Sequence, residues 1–150
     1  MVVRKADLSD IQLLVALMKD FYAEANFVLD EGEAAASFYN LLSRPPLGSV
    51  WIAFSGQRAI GHAVLTVRYT MEHCGLSGYV DDLFVQVECR RQGAASQLLL
   101  ELEKECIARD CKAVTVEVGR NNLAGLKTYE KLGMQRVIDG RIIYKRLLAK

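Results

Sequence analysis

The sequence predicts a mixed α/β layer with helices on both faces of a sheet, and three observations carry that prediction. Apolar residues recur at helical spacing in some segments and form short alternating or β-branched runs in others. The two kinds of segment interleave along the chain rather than separating into halves. Turn chemistry, such as Pro45-Pro46, Ser55-Gly56 and Asp139-Gly140, falls between them. At 150 residues, 51% hydrophobic and 25% charged, the chain is expected to be one domain, 1–150, with a real core.

The elements follow in order. Val2 to Lys5 reads as an edge strand, and Asp7 and Ser9 are candidate helix caps. Ile11, Leu14, Val15, Met18, Phe21 and Tyr22 give an amphipathic helix. A second, alanine-rich helix is expected from Glu31 to Ser43, stopped by the prolines. Gly48 to Phe54 and Ala59 to Tyr69 form a hairpin about Ser55-Gly56-Gln57-Arg58. Met71 to Ser77 is polar and reads as a loop, and Tyr79 to Val87 as the next strand. A helix beginning near Ser96 places Ala95, Leu98, Leu99, Leu102 and Cys106 on one face. Ala113 to Val118 is a strand by its β-branched alternation. A short helix starts at Asn121-Asn122 and ends at Gly133. Asp139-Gly140, between apolar runs, predicts a final hairpin over 135–148.

Composition excludes several classes of function. The net charge of +1 disfavours a nucleic-acid partner. No apolar run is long enough for a membrane span, and the first seven residues do not read as a signal peptide, so a cytoplasmic protein is expected. Cys74, Cys89, Cys106 and Cys111 form no Cys-x-x-Cys pair, and His62 and His73 show no ligand spacing. No metal site is expected, and the thiols are expected to be free.

Arg90-Arg91-Gln92-Gly93-Ala94-Ala95 lies between a strand and a helix. Such a junction aims backbone N–H groups and a positive helix end at one spot, while small residues allow a ligand close to the backbone. From these residues alone, an anion seat and a solvated basic turn both remain open. Asp81 and Asp82 interrupt an apolar strand, so they require either an ion-pair partner or a substrate.

The loop, the strand leading into Asn121-Asn122, and Ala124-Gly125-Leu126-Lys127-Thr128-Tyr129-Glu130-Lys131-Leu132-Gly133-Met134 together resemble the GNAT family of N-acetyltransferases. Arg90 to Ala95 is similar to its Arg/Gln-x-x-Gly-x-Gly/Ala signature, and Asp82-Leu83-Phe84-Val85 looks like its fourth strand. Met134 stands where the family usually has Phe.

The resemblance implies a mostly antiparallel sheet that splays between strands 4 and 5, and transfer of an acetyl group from acetyl-CoA directly to an amine. It implies that the backbone of Gln92, Gly93, Ala94, Ala95 and Ser96 seats the pyrophosphate beside Arg90 and Arg91. Phe84 and Val85 pair with the pantetheine. Asn122 either holds that arm or caps its helix. Tyr129 matches the family's general acid. Asp81 and Asp82 become the groups that attract an ammonium and take its proton, since Tyr79 to Val85 looks like the corresponding strand of polyamine acetyltransferases. The acceptor is expected to be a small cationic amine: a polyamine, an amino acid derivative or an aminoglycoside. Glu72, Tyr22 and Glu24 are further candidates for its pocket. A protein lysine or N-terminal amine, or a non-catalytic acyl-CoA sensor, are the alternatives. A homodimer is a common family assembly.

Overall fold

A computed structural model describes residues 1–148. The chain divides into two units, Met1–Val118 and Gly119–Lys150.

The first unit is built on five strands in the order β1-β2-β3-β4-β5. They are β1 (Val2–Lys5), β2 (Gly48–Ser55), β3 (Arg58–Thr70), β4 (Gly75–Val85) and β5 (Ala113–Val116), and three helices accompany them: α1 (Ile11–Glu24), α2 (Glu31–Leu42) and α3 (Ala94–Ala108). Neighbouring strands are antiparallel except β4 and β5, which are parallel. The helices lie on both faces. α1 and α2 cover a core containing Leu14, Leu17, Phe38, Ile52, Val64 and Phe84. On the other side α3 buries Ala94, Leu98, Leu99, Leu102 and Cys106. A Cβ added at Gly78 would lie 2.5 Å from Cys106 Sγ, so that glycine is what lets the helix approach the sheet.

The local chemistry is as expected at several points. Asp7 caps a short 3₁₀ turn through a reciprocal capping box with Asp10. Asp30 caps α2 by accepting from Glu33 N at 2.9 Å. The β2–β3 connection turns at Gly56, φ +61°. Several boundaries differ from expectation: α3 begins at Ala94 rather than near Ser96 and buries Ala94 where Ala95 was expected, and β4 and β5 end two residues early, at Val85 and Val116. β4 begins at Gly75, because Gly75 to Ser77 pair with Thr70 to Arg68 and extend a hairpin that polarity alone made look like loop. The expected strands over 135–148 do not form, and the described residues after Lys131 contain neither helix nor strand. The turn chemistry is present, since Arg141 N donates to Asp139 Oδ1 at 3.1 Å. Neither flanking run has a ladder, however, and an isolated two-stranded ribbon is marginal in water.

Two features of β4 position everything that follows. Its pairing with β5 covers only Ser77 to Val80. From Asp82 onward no strand among the described residues lies beside the outer edge of β4, because β5 ends at Val116 opposite Val80; this is the open edge expected between strands 4 and 5. The register with β3 also shifts: Val64 faces Asp82 while Leu65 faces Val80, so Asp81 is an extra residue in a β-bulge.

The second unit contains α4 (Leu123–Lys131). Asn122 Oδ1 accepts from Gly125 N at 2.9 Å and caps it. Gly133, at φ +81°, ends it, with Met134 N donating to Tyr129 O at 3.1 Å.

Candidate functional site

The free edge of β4 comes first. Gln86 N donates to Ile60 O of β3 at 2.8 Å. The intervening peptide is trans, so the Val85 carbonyl points the opposite way, out of the sheet edge. By strand alternation Leu83 presents its N–H and carbonyl on that same edge. An unpaired strand edge offers this pattern of donors and acceptors to an extended ligand.

The loop that follows is pinned by Arg90. Its Nε donates to Val85 O at 2.8 Å. Its guanidinium pairs with Glu24 at the end of α1 and lies 5.8 Å from the Phe84 ring centroid. The charge expected to face an anion is therefore internally paired, and Arg90 fixes the loop instead. Arg91 is exposed, with φ +61°. Gly93 adopts φ +88° immediately before α3, which no side chain caps. The N–H groups of Ala94, Ala95 and Ser96 lack partners one turn back, as at any helix start. Leaving aside its chain neighbours, a Cβ at Gly93 would find no atom nearer than Met1 Cε at 3.9 Å, so there is free space beside Gly93 itself. Ala94 is buried and serves the core; the loop's offering is backbone N–H.

The acidic pair comes next. Adjacent strand residues ordinarily point to opposite faces. Upstream of the bulge, Gly78 faces α3, and so does Val80 two residues on; downstream, Asp82 and Phe84 face α1. The extra residue Asp81 absorbs the switch, and both carboxylates turn toward α1. Burial, and after it the charges of Asp82 and Asp81, push the Tyr22 phenol above its ordinary range. Asp81 keeps solvent contact, yet crowding by protein atoms and then the charge of Asp82 raise its carboxyl above the usual carboxylate range.

Beside this pair lies His62, fully buried, with Nε2 3.9 Å from Asp82 Oδ2. A cavity of about 470 Å³ opens between α1 and the end of β4, lined by Asp20, Ala23, Glu24, Phe84, Gln86, Val87 and Glu88. Its carboxylates are engaged: Asp20 by Gln86, Glu24 by Arg90 and Glu88 by Arg58.

The first unit thus brings together Asp81, Asp82, Tyr22, Glu24, Phe84, Val85, Arg90 and the 91–96 loop. Glu72 sits in the exposed β3–β4 turn. Gly75 to Asp81 spans six strand steps, roughly 20 Å, which separates Glu72 from the pair. Burial drives the Cys106 thiol up to about 12, consistent with a core role. The sequence carries no signal for Asp20, Gln86 and Glu88, which belong to no motif, and marks His62 only as a histidine without ligand spacing. In the second unit Tyr129 is half-buried on α4, and burial raises its phenol above the ordinary range. Asn122 is the cap of that helix. Among the described residues no cluster of metal-binding side chains occurs, and no helix is long and apolar enough to cross a membrane.

The family model described as "Acetyltransferase (GNAT) family" matches residues 14–134. The chain belongs to the GNAT acetyltransferase family. As such it is an acyltransferase. An integron cassette protein from the mobile metagenome of Cole Harbour Salt Marsh is 34% identical, with TM-score 0.88, covering 99% of this chain and 91% of that one. A predicted acetyltransferase from Clostridium acetobutylicum, solved with acetyl-CoA, is 24% identical at TM-score 0.79, covering 96% and 95%. The structure of AAC(6')-Iy with a bisubstrate analogue, CoA-S-monomethyl-acetylneamine, is 18% identical at TM-score 0.83, covering 97% and 98%; these last two likenesses concern the fold. No curated protein matches the sequence. For this GNAT chain, the splayed edge of β4 and the uncapped start of α3 are the family's fold expressed in its own residues.

Proposed function

We propose that this GNAT chain, acting as one catalytic domain, moves an acetyl group from acetyl-CoA to a small cationic amine. The observation that carries the acceptor class is the bulge that turns Asp81 and Asp82 to one face, beside the free edge of β4. The donor fits the residues present. The edge offers the Leu83 N–H and carbonyl and the Val85 N–H to the pantetheine amides, while the Val85 carbonyl is held by Arg90 Nε. The N–H groups of Gln92 to Ser96, with Arg91, lie at a helix start that no side chain caps and that has free space beside Gly93, which suits a diphosphate. The solved GNAT structures holding acetyl-CoA or CoA support this choice of donor.

The acceptor arrives as an ammonium and must lose a proton to attack. Two carboxylates attract it, and Asp81, whose proton affinity is raised, takes that proton. The neutral nitrogen attacks the thioester carbonyl carbon; the C–N bond forms as the C–S bond breaks. Tyr129 donates its phenolic proton to the departing thiolate and regains one, through solvent, from the newly acylated nitrogen, which leaves a neutral amide; the role is supported by its position in the family motif and by a phenol that stays protonated at neutral pH. Tyr22 lines the acceptor side, and Glu24 holds Arg90 and the wall of the cavity.

Thiol release by the purified chain with acetyl-CoA tests this, using polyamines, aminoglycosides, amino acid derivatives and lysine peptides as acceptors. Turnover is expected with the small polycations. Turnover confined to peptides would overturn the acceptor class. Donor binding without transfer to any amine would overturn the catalytic roles.

A further inference from the structure

His62 is 0% exposed, and neither ring nitrogen has a hydrogen-bond partner. It is boxed by aromatic rings: Phe21 at 6.4 Å and Phe38 at 6.3 Å, both edge-on, and Phe84 at 6.1 Å. A phenylalanine would suit this box with no polar atom to leave unsatisfied. An unpaired buried polar group costs about 1–3 kcal/mol, so the imidazole is a poor choice for packing alone. Asp82 is its complement. That side chain is only 16% exposed, it accepts no hydrogen bond from any described residue, and its Oδ2 lies 3.9 Å from His62 Nε2. The two sit diagonally on adjacent strands, His62 opposite Phe84 and Asp82 opposite Val64, on the same face of the sheet. One polar group without a partner thus stands a few tenths of an ångström beyond bonding range of another.

We propose that His62 is the positioning residue for Asp82: with the acceptor bound, its Nε2–H donates to Oδ2 and fixes the carboxylate toward the ammonium. Held in this way, Asp82 serves as the fixed anion while its neighbour Asp81 exchanges the proton. The titratable groups facing His62 and Asp82 are Asp81 on β4 and Tyr22 on α1; β2 contributes Ile52 and α2 contributes Phe38. This inference rests on the acceptor reading above.

The test compares His62→Phe, His62→Gln, Asp82→Asn and the double variant His62→Phe/Asp82→Asn. The readouts are donor affinity by calorimetry, steady-state kinetics against pH, and Tm. His62→Phe is expected to raise KM for the amine about tenfold and shift the acid limb of kcat/KM. Donor affinity stays unchanged and Tm does not fall. His62→Gln, which retains an N–H in that region, recovers part of the loss. The double variant is no worse than Asp82→Asn alone. If Asp82→Asn itself leaves amine KM unchanged, the acceptor reading fails. If Asp82→Asn impairs the enzyme while His62→Phe leaves KM and the pH profile untouched, or if the two effects simply add, the positioning role of His62 is overturned.

Discussion

The start of α3 permits a quantitative test of the donor seat through two substitutions at Gly93. The residue sits at φ +88° and ψ 0°, with free space where a Cβ would go. Alanine therefore meets no clash and carries only the conformational cost of a left-handed residue, about 1–2 kcal/mol. That cost falls on folding, and for a chain of this size it lowers Tm by about 2–8 °C. Donor affinity should drop less than about tenfold, because the N–H groups of residues 94–96 remain in place. Glutamate carries the same backbone cost and adds a negative charge where the diphosphate is to sit. Two like charges about 5 Å apart, at an effective dielectric near 20, repel by about 3 kcal/mol. The loss should thus be on the order of a hundredfold or more beyond that of alanine. Isothermal calorimetry with CoA measures both variants, and thermal melts separate folding from binding. Equal affinities for the alanine and glutamate variants, at comparable Tm, would refute the phosphate seat, since charge could not then be what distinguishes them.

The other predictions concern packing, acid stability and catalysis. Gly78→Ala puts a methyl 2.5 Å from Cys106 Sγ and 3.0 Å from Leu65 Cδ1; it should cost about 1–3 kcal/mol by overpacking, and Cys106→Ala should recover much of that in the same melt. Arg4 donates to both carboxylate oxygens of the buried Asp10, at 2.8 and 2.7 Å, and holds its carboxyl below the usual range. A depressed pKa gives stability that is present above the ordinary carboxylate range and lost as pH falls through the folded value. Asp10→Asn should therefore lose about 1–3 kcal/mol at neutral pH and show a flatter fall of Tm on acidification. Tyr129→Phe should lower transfer by about 10²–10⁴-fold with donor affinity intact; an unaltered rate assigns the proton to another group.

What the sequence revealed, and what it hid, divides along physical lines. The 90–96 loop, the Asn122 cap, the Gly133 stop and the turn at Gly56 were readable because each depends on a few consecutive residues whose conformational preferences are strong. The bulge at Asp81 was not, because it is a property of how β4 registers on β3, and neither strand records it alone. The same holds for the start of β4, where Gly75 to Ser77 are ordered by pairing with β3 rather than by their own propensity. The strands expected over 135–148 failed in the converse way: Asp139-Gly140 specifies a turn but cannot supply a ladder. Arg90 shows how a correct motif can still mislead about a side chain. Its position in the loop was legible, while its engagement with Val85, Glu24 and Phe84 requires elements far apart in sequence.

The bulge also gives β4 a parity. Every residue before it is read out of phase with every residue after it, so the single extra residue decides which side chains count as core. Exchanging Asp81 for another residue alters chemistry at one point and leaves the count intact. Removing it would restore simple alternation and leave the faces as they are, since Val80 would still lie opposite Leu65 toward α3 and Asp82 opposite Val64 toward α1; what would be lost is the second carboxylate on the α1 face. Keeping the residue but straightening the bulge would instead turn Asp82 and Phe84 toward α3, so the extra residue and the bulge stand or fall together.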